Sequence, residues 1–172
     1  MPTKSPPAHI LAAAPSLWSA AGQGHWVPVQ GPSMLPFLRP GDEVWLAPGP
    51  ARLRRGDVVV LRTGTGLLVH RLLRAEPWSQ PQRLWTHGDN NRQPDPAASA
   101  ENLLGRVLTV RRRSKSLALD TPRWRALGWL IACGLVAVNR LTKLAKMWGP
   151  PGQLAAGSAW RLVRAFCIVA CR

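Results

Sequence analysis

The sequence predicts a mainly β domain followed by a basic helical tail. Short apolar runs, broken by Gly and Pro, recur between residues 23 and 113, which is typical of strands joined by turns. Beyond residue 113 the apolar positions recur at helical spacing. With 46% hydrophobic and 18% charged residues, a chain of 172 residues can bury a core. We expect a flexible N-terminal segment (1–22), a β domain (23–113) and a basic amphipathic helical tail (114–172).

The individual elements follow from the positions of the apolar runs. The first eight residues are Pro-rich and polar, which favours a flexible start. Gly-Asp pairs beside the runs predict turns, because Gly tolerates positive φ and Asp accepts hydrogen bonds from nearby amides. These pairs are Gly41-Asp42, Gly56-Asp57 and Gly88-Asp89. Strands are predicted at residues 43–47, 57–62, 67–75, 83–87 and 103–111, and helices at 123–147 and 154–171, separated by the Gly-Pro-Pro-Gly segment 149–152.

The excess of positive charge lies in the predicted tail. The whole chain has 23 basic and 8 acidic residues, a net charge of +15. Residues 1–110 carry 11 basic and 7 acidic groups, whereas residues 111–172 carry 12 basic groups and one acidic group. A tail of this sign attracts polyanions, either acidic lipid headgroups or nucleic acid.

The apolar stretch in the first predicted helix is too short to cross a bilayer. Residues 126–138 are 13 uncharged residues. As a helix they span about 20 Å, against about 30 Å for the hydrocarbon core. Trp124, Trp129 and Trp148 lie in or beside this stretch together with cations, which suits a helix lying on an anionic membrane surface. The simpler alternative is that both helices pack their apolar faces on the β domain, and nucleic acid is the less favoured partner.

Cysteine usage and the N-terminal residues favour a cytoplasmic protein, with or without peripheral attachment to a membrane. Cys133, Cys167 and Cys171 are odd in number and lie in the tail, which predicts free thiols in a reducing compartment. Residues 9–22 are mildly apolar but are interrupted by Pro15, so a cleaved signal peptide is not expected.

One motif contains a serine that could act as a nucleophile, and a second contains a histidine that could act as its base. Ser33 lies in Gly-Pro-Ser-Met-Leu-Pro (31–36), where the two prolines stiffen the backbone. A serine hydroxyl is a weak nucleophile and needs a base within hydrogen-bond reach. His70 lies in the run 67–73, where strand alternation puts Leu68 and Leu72 on its face. These apolar neighbours favour the neutral imidazole, the form that a general base requires.

Two carboxylates are candidates to orient His70. Gly-Asp-Asn-Asn (88–91) contains Asp89 and is followed by Asp95, whereas Asp42 and Asp57 are assigned to turns. A carboxylate on the second ring nitrogen would fix the tautomer of His70 and stabilise its protonated form. The residues themselves do not rank Asp89 against Asp95, and both could simply cap turns.

The order and spacing of these motifs, with Arg-Pro-Gly-Asp (39–42) and Arg-Gly-Asp (55–57), resemble the signal peptidase family of serine peptidases over residues 30–110. The similarity is greatest to its eukaryotic and archaeal-like Ser-His branch and to related short bacterial proteins. The resemblance implies a mixed β-barrel core of the signal-peptidase and SOS-repressor type. It also implies site roles: Ser33 as nucleophile, His70 as base, Asp95 as triad partner and Asp89 as supporting carboxylate. Bacterial signal peptidases have Lys in place of this His, and no Lys lies between residues 5 and 114 here, which excludes a Ser-Lys dyad in the β domain.

By the same resemblance the chain would be a serine endopeptidase that processes leader or signal peptides, with no cofactor and no metal. Its substrate would lie extended, with small residues before the cut. The Ser33 backbone amide would donate to the oxyanion. A second donor is unassigned, because Gly31 lacks the hydroxyl that some family members carry and Pro32 has no amide.

Three other functions stand as alternatives. A non-catalytic β module could bind peptide, membrane or nucleic acid through the tail. His70, His87, Asp89 and Asp95 could form a metal site of nitrogen and oxygen ligands, although this leaves the Ser33 motif unexplained. A self-cleaving repressor needs a DNA-reading helical domain before the catalytic domain, and 22 residues precede Gln23.

Overall fold

The computed structural model describes residues 24–48, 52–64, 66–76, 82–147 and 150–170, so the predicted flexible segment 1–22 lies outside the described residues. In this part of the chain eight strands form one antiparallel sheet, the sheet domain, and two helices follow it. The mainly β class with a C-terminal helical region is thereby confirmed. The strands are β1 (His25–Pro28), β2 (Glu43–Pro48), β3 (Val58–Thr63), β4 (Gly66–Glu76), β5 (Arg83–His87), β6 (Ala98–Ser99), β7 (Leu103–Arg112) and β8 (Lys115–Ala118). A 3₁₀ turn (Ala100–Asn102) precedes β7, and the helical hairpin consists of α1 (Pro122–Met147) and α2 (Pro150–Ala170).

The five predicted strands correspond to β2, β3, β4, β5 and β7. The sequence pattern did not reveal β1, β6 and β8, which have 4, 2 and 4 residues and too little alternation to stand out. β8 extends the sheet beyond residue 113, where we expected the helical tail to begin. All four of its residues are exposed, so no apolar pattern marks them.

The second helix begins earlier than predicted. α2 starts at Pro150 rather than at residue 154. Pro150 and Pro151 occupy its first turn, where the missing amides cost no helical hydrogen bond and φ is already helical. The prolines that we interpreted as a break therefore begin the helix.

β7 lies in the middle of the sheet. β2 pairs with one of its edges, while β3 and β8 pair with the two halves of the other edge. The sheet continues from β3 through β4, β5 and β6. His70 on β4 lies opposite Val59 of β3, and Arg71 lies opposite His87 of β5. This register brings two histidines and an arginine together on neighbouring strands.

All three Gly-Asp pairs lie at turns, as predicted, and two of them share one geometry. Gly41 and Gly56 have φ of 89° and 93°. In each turn the Asp carboxylate accepts a hydrogen bond of 2.8 Å from the backbone amide three residues earlier. The third pair, Gly88-Asp89, differs, because the Asp89 carboxylate binds the Arg71 side chain instead.

The helical hairpin packs on the sheet domain. Ile131, Ala132 and Leu135 of α1 are buried together with Leu73 of β4 and Cys167 of α2. This cluster is separate from the core that β1, β2 and β7 enclose. The predicted tail is therefore a packed part of the molecule.

Gly128 of α1 and Gly56, in the turn before β3, meet through their backbones. A Cβ atom on Gly128 would lie 2.7 Å from the Gly56 carbonyl oxygen, and one on Gly56 would lie closer still to the Gly128 carbonyl carbon. No side chain fits at such distances, so both positions require glycine. α1 is thereby held directly against the sheet domain.

Two properties of the helical hairpin bear on where the protein resides. We expected the uncharged stretch 126–138 to be too short to cross a bilayer, but α1 as a whole, alone among the described residues, is long and apolar enough to do so by length and composition, over Pro122–Ala145 at a mean hydropathy of 1.3. Core helices of soluble proteins meet the same criterion, and 28% of this window is buried inside the protein. Cys133 and Cys167 are not disulfide-bonded within the described residues, in agreement with the prediction, and Cys171 lies outside them.

Candidate active site

Ser33 lies on a turn between β1 and β2 that is anchored by apolar side chains. Met34, Phe37 and Leu38 are buried in the core below the turn. The Leu38 amide donates to the Met34 carbonyl at 2.9 Å, which closes the turn. Ser33 itself is half-buried. Its hydroxyl is therefore held in place and is still within reach of a substrate.

The Ser33 hydroxyl and the His70 imidazole are in hydrogen-bond contact. Ser33 Oγ lies 2.9 Å from His70 Nε2. His70 is 3% exposed and lies on β4, between two paired strands, which fixes the position of its ring. This is the distance that proton transfer from a serine hydroxyl to an imidazole requires.

The Asp95 carboxylate binds the other nitrogen of His70. Asp95 Oδ2 lies 2.6 Å from His70 Nδ1 and accepts a hydrogen bond of 2.7 Å from Thr86 Oγ1. Burial raises the pKa of Asp95, but the hydrogen bonds from His70 and Thr86 and the electrostatic attraction of the imidazole outweigh this effect and hold the pKa below its ordinary value. The ionised carboxylate thus selects the tautomer of His70 in which Nδ1 carries the hydrogen and Nε2 faces Ser33.

The structure places Asp89 on Arg71 rather than on His70. The Arg71 Nε and Nη2 atoms donate to the two carboxylate oxygens at 2.7 and 2.5 Å, and Nη1 donates to the Gly56 carbonyl at 2.8 Å. Both side chains are sealed from solvent, at 1% and 0% exposure. Asp89 therefore supports the site through the residue next to His70, without touching the imidazole ring.

The turn after β5 is bonded directly to the Ser33 segment. The backbone amide of Asn90 donates to the Ser33 carbonyl at 2.7 Å, and its side-chain Nδ2 donates to the Pro32 carbonyl at 3.2 Å. Gly88 packs on the same segment so closely that a Cβ atom would lie 2.7 Å from the Ser33 carbonyl oxygen. The sequence did not predict that Asn90 belongs to the site. Its position next to Asp89 is the sequence feature that could have indicated it.

His87 is a second buried histidine beside the site. It is fully buried at the end of β5, and its Nδ1 donates to the Gly88 carbonyl at 2.6 Å. Its Nε2 is buried and has no hydrogen-bond partner within the described ranges. Burial lowers the pKa of His87. A proton on Nε2 would place a charge in this buried position, and the attraction of the Asp95 and Asp89 carboxylates offsets only part of the cost of its burial.

The four residues considered as metal ligands engage protein groups. Asp95 binds the His70 ring, Asp89 binds a guanidinium, and His87 binds a carbonyl. The part of the chain that the structure describes contains no group of three or more His, Cys, Asp or Glu side chains arranged to hold a metal ion.

The helical hairpin reaches the site through Trp160 of α2. The indole Nε1 donates to the Asn91 carbonyl at 3.2 Å. The guanidinium groups of Arg92 and Arg164 lie 5.6 and 5.4 Å from the indole ring, within the range of cation-π attraction. Trp160 thus helps to hold the loop that leads to Asp95. No local sequence pattern marks it for this role, since 69 positions separate it from Asn91.

Ser33, His70 and Asp95 form one chain of hydrogen bonds from a hydroxyl to a carboxylate. Neutral His70 can accept the Ser33 proton at Nε2, and ionised Asp95 can stabilise the imidazolium that results. The arrangement can therefore activate the Ser33 oxygen for attack on a carbonyl carbon.

A family model described as Peptidase S24-like matches residues 4–108 of this chain. The matched range contains Ser33, His70, Asp89 and Asp95, whereas the helical hairpin lies outside it. No curated protein matches the chain.

Proposed function

The chain belongs to the Peptidase S24-like family, and we propose that it is a serine endopeptidase that cleaves leader or signal peptides. The family is of the serine-peptidase type. The observation that carries the proposal is the hydrogen-bonded series of Ser33, His70 and Asp95, with distances of 2.9 and 2.6 Å.

The first half of the reaction forms an acyl-enzyme. His70 Nε2 takes the proton of Ser33 Oγ while Oγ bonds to the scissile carbonyl carbon, and the carbonyl electron pair moves onto its oxygen. The Ser33 backbone amide would donate to this oxyanion. His70 then gives the proton to the peptide nitrogen, the C–N bond breaks and the amine leaves. Asp95 stabilises the imidazolium between these two transfers.

The second half releases the acyl group to water. His70 takes a proton from a water molecule as the water oxygen bonds to the acyl carbon. The bond to Ser33 Oγ then breaks, and His70 returns the proton to Oγ. The products are a peptide with a new carboxylate and the free enzyme.

The buried groups around the triad would keep its geometry during both halves. Asn90 holds the Ser33 segment by two hydrogen bonds. The ion pair of Arg71 and Asp89 links β4, which carries His70, to the turn after β5. Such positioning matters because a shift of about 1 Å in a reacting group costs about 100-fold in rate.

The family resemblance supports an extended peptide substrate with small residues before the cut. From the cysteine usage we place the enzyme in the cytoplasm, with or without peripheral attachment to a membrane. The cationic C-terminal region supports such an attachment, since 12 of its residues are basic and one is acidic over 111–172.

An active-site label tests the proposal. We expect an alkyl fluorophosphonate to form a covalent adduct at Ser33, with loss of fluoride, located by mass spectrometry of the labelled peptide. Ser33→Ala should abolish labelling, and His70→Gln should slow it by about 1,000-fold or more, as in other serine hydrolases that lose their base. Ser116→Ala, which alters an exposed serine on β8, is the matched control and should label like the wild type.

Labelling that persists in Ser33→Ala would disprove the assigned nucleophile. A chain that takes no label, while its circular dichroism shows an intact fold, would favour the alternative of a non-catalytic β module that binds peptide, membrane or nucleic acid.

A further inference from the structure

The helical hairpin exposes large apolar side chains on both of its helices. Seven of these side chains, which we call the hairpin face, are 46% to 73% exposed. They are Trp129, Leu130, Leu141 and Leu144 on α1 and Leu162, Phe166 and Val169 on α2. In the sheet domain, as far as the structure describes it, Leu117 is the one comparably exposed large hydrophobic residue, at 36%. Apolar exposure is thus concentrated on the hairpin.

The hairpin face has the spacing of a helix surface that faces a partner. Leu162, Phe166 and Val169 are spaced by four and three residues, so they lie on one side of α2. Val163 and Cys167, one position further along than Leu162 and Phe166, are turned by about 100° and pack against α1. Each helix therefore has one apolar side in the core and a second apolar side in water. Exposed apolar surface concentrated on one part of a protein is typical of an interaction site.

The charges around the hairpin face have a single sign. α1 and α2 together contain seven Arg and Lys residues and no Asp or Glu. Arg140, Lys143, Arg161 and Arg164 are exposed next to the apolar positions. Apolar side chains mixed with cations, without any acidic residue, complement a surface that is anionic outside and apolar beneath.

A cleft between α1 and the sheet domain adds to this complementarity. It has a volume of 260 Å³, and its lining includes the apolar Leu73 and Val136 and the exposed cations Arg55, Arg140 and Lys143. Apolar and cationic lining together suit a phosphate group that carries an acyl chain, as in a phospholipid.

We propose that the hairpin face docks on the surface of an anionic lipid bilayer. The apolar side chains enter the headgroup region, and the four exposed cations bind lipid phosphates. Nucleic acid would use the cations but leave the seven apolar side chains in water. A second copy of the chain would bring two wholly cationic hairpins together, which like-charge repulsion opposes.

The hairpin lies on the bilayer and does not cross it. Ile131 and Leu135 of α1 are buried against Leu73 of the sheet domain. If α1 crossed the membrane, it would leave the sheet domain, and Leu73 would be exposed to water. Membrane docking uses none of Ser33, His70 and Asp95, so its test is independent of the catalytic proposal.

Co-sedimentation of the full chain with vesicles tests the inference. We expect binding to vesicles of phosphatidylcholine with one quarter phosphatidylglycerol, little binding to pure phosphatidylcholine, and weaker binding as salt is added. Arg140→Gln combined with Lys143→Gln should weaken binding about 30-fold, which corresponds to about 1 kcal/mol for each charge. Leu162→Ser combined with Phe166→Ser should also weaken it, and Ser33→Ala should bind like the wild type.

Matched controls lie in the sheet domain. Arg52→Gln combined with Arg62→Gln removes two exposed cations, and Leu117→Ser removes an exposed leucine. Both should bind like the wild type. Equal binding to neutral vesicles at high salt, no binding at all, or equal losses in the control variants would overturn the proposal. So would a dimer in sedimentation velocity that Leu162→Ser with Phe166→Ser dissociates, or a preference for DNA over anionic vesicles in competition.

Discussion

Arg71 and Asp89 form an ion pair that solvent does not reach, one residue along β4 from His70. Two guanidinium nitrogens bind the two carboxylate oxygens, and the third binds the Gly56 carbonyl. The pair joins the strand that carries His70 to the turn that carries Asn90 and to the turn before β3. If one partner is removed, the other keeps its charge in a place where water cannot solvate it.

We therefore predict that Asp89→Asn mainly destabilises the fold. Removing one partner of a buried ion pair costs about 3–5 kcal/mol of the free energy of unfolding. Urea denaturation measures this loss. Glu43→Gln is the control, because the ion pair of Glu43 with Arg111 is about 40% exposed and such surface pairs contribute at most about 1 kcal/mol. Equal denaturation midpoints for the two variants would contradict the structural role of Asp89.

Asp95→Asn should instead abolish most of the activity. The amide cannot hold the His70 tautomer or stabilise the imidazolium, and the same change in a serine protease triad lowers turnover by about 10,000-fold. The rate of fluorophosphonate labelling or of peptide cleavage measures the effect. Asp120→Asn, an exposed carboxylate before α1, should label at the wild-type rate. Wild-type rates for a folded Asp95→Asn variant would mean that Ser33 and His70 act as a dyad.

His87 should make the fold less stable in mild acid. Burial lowers its pKa in the folded protein, whereas in the unfolded chain the pKa is about 6.5. Below that pH the unfolded state binds a proton that the folded state does not, so the free energy of unfolding decreases as pH falls, by up to about 1.4 kcal/mol per pH unit. Above about pH 6.5 His87 is neutral in both states, so its titration no longer lowers the free energy of unfolding.

Urea denaturation at pH 7.5, 6.5 and 5.5 measures this dependence. His87→Gln removes the titrating group, so its stability should fall less between pH 6.5 and 5.5 than that of the wild type. The NMR titration of the His87 ring provides an independent readout, because its midpoint should lie below the value of about 6.5 for an unfolded chain. A midpoint at or above that value would refute the prediction.

Gly88→Ala should damage catalysis by displacing the nucleophile. The new methyl group would lie 2.7 Å from the Ser33 carbonyl oxygen and 2.8 Å from Asn91 Nδ2. The Ser33 segment or the turn must move, and we expect turnover to fall by about 10-fold to 100-fold. Gly64→Ala, where nothing lies within 4 Å of the added Cβ, should leave turnover unchanged. An active Gly88→Ala enzyme would show that the Ser33 segment tolerates displacement.

Trp160→Phe should lower turnover without unfolding the protein. The phenyl ring can still stack with Arg92 and Arg164, but it has no N–H for the Asn91 carbonyl. A neutral hydrogen bond contributes about 1 kcal/mol, so we expect a decrease of about fivefold in kcat. Trp129→Phe, which alters an exposed indole on the other helix, is the control in assays without lipid. Equal kcat in both variants would show that α2 does not position the catalytic loop.

The sequence motifs could identify the candidate residues of the site but not their pairing. The order of the motifs predicts that Ser33, His70 and a carboxylate lie close together, and the structure brings Asp95 to the histidine. The choice between Asp89 and Asp95 depends on the Arg71 side chain, which reaches Asp89 because Arg71 lies opposite His87 in the register of β4 and β5. Such a long-range alignment leaves no mark on the local pattern of either segment.

The fold was predictable where the apolar runs were long. β3 has four successive buried residues and β4 has 11 residues, so both stood out from the turns around them. β8 did not, because it is short and wholly exposed and exists through pairing with β7. The contact of Trp160 with Asn91 could not be predicted either, because it depends on how the helical hairpin packs on the sheet domain.

The backbone contact between Gly56 and Gly128 makes the helical hairpin and the sheet domain one cooperative unit. At this contact the two main chains pack directly, with no mobile side chains between them, so the helical hairpin cannot separate easily from the sheet domain. The amide protons of α1 and β4 would then exchange with solvent through the same global opening, and not through separate local ones. From its composition the C-terminal region looks like a separate tail. The backbone contact instead implies that the helical hairpin unfolds only when the sheet domain unfolds.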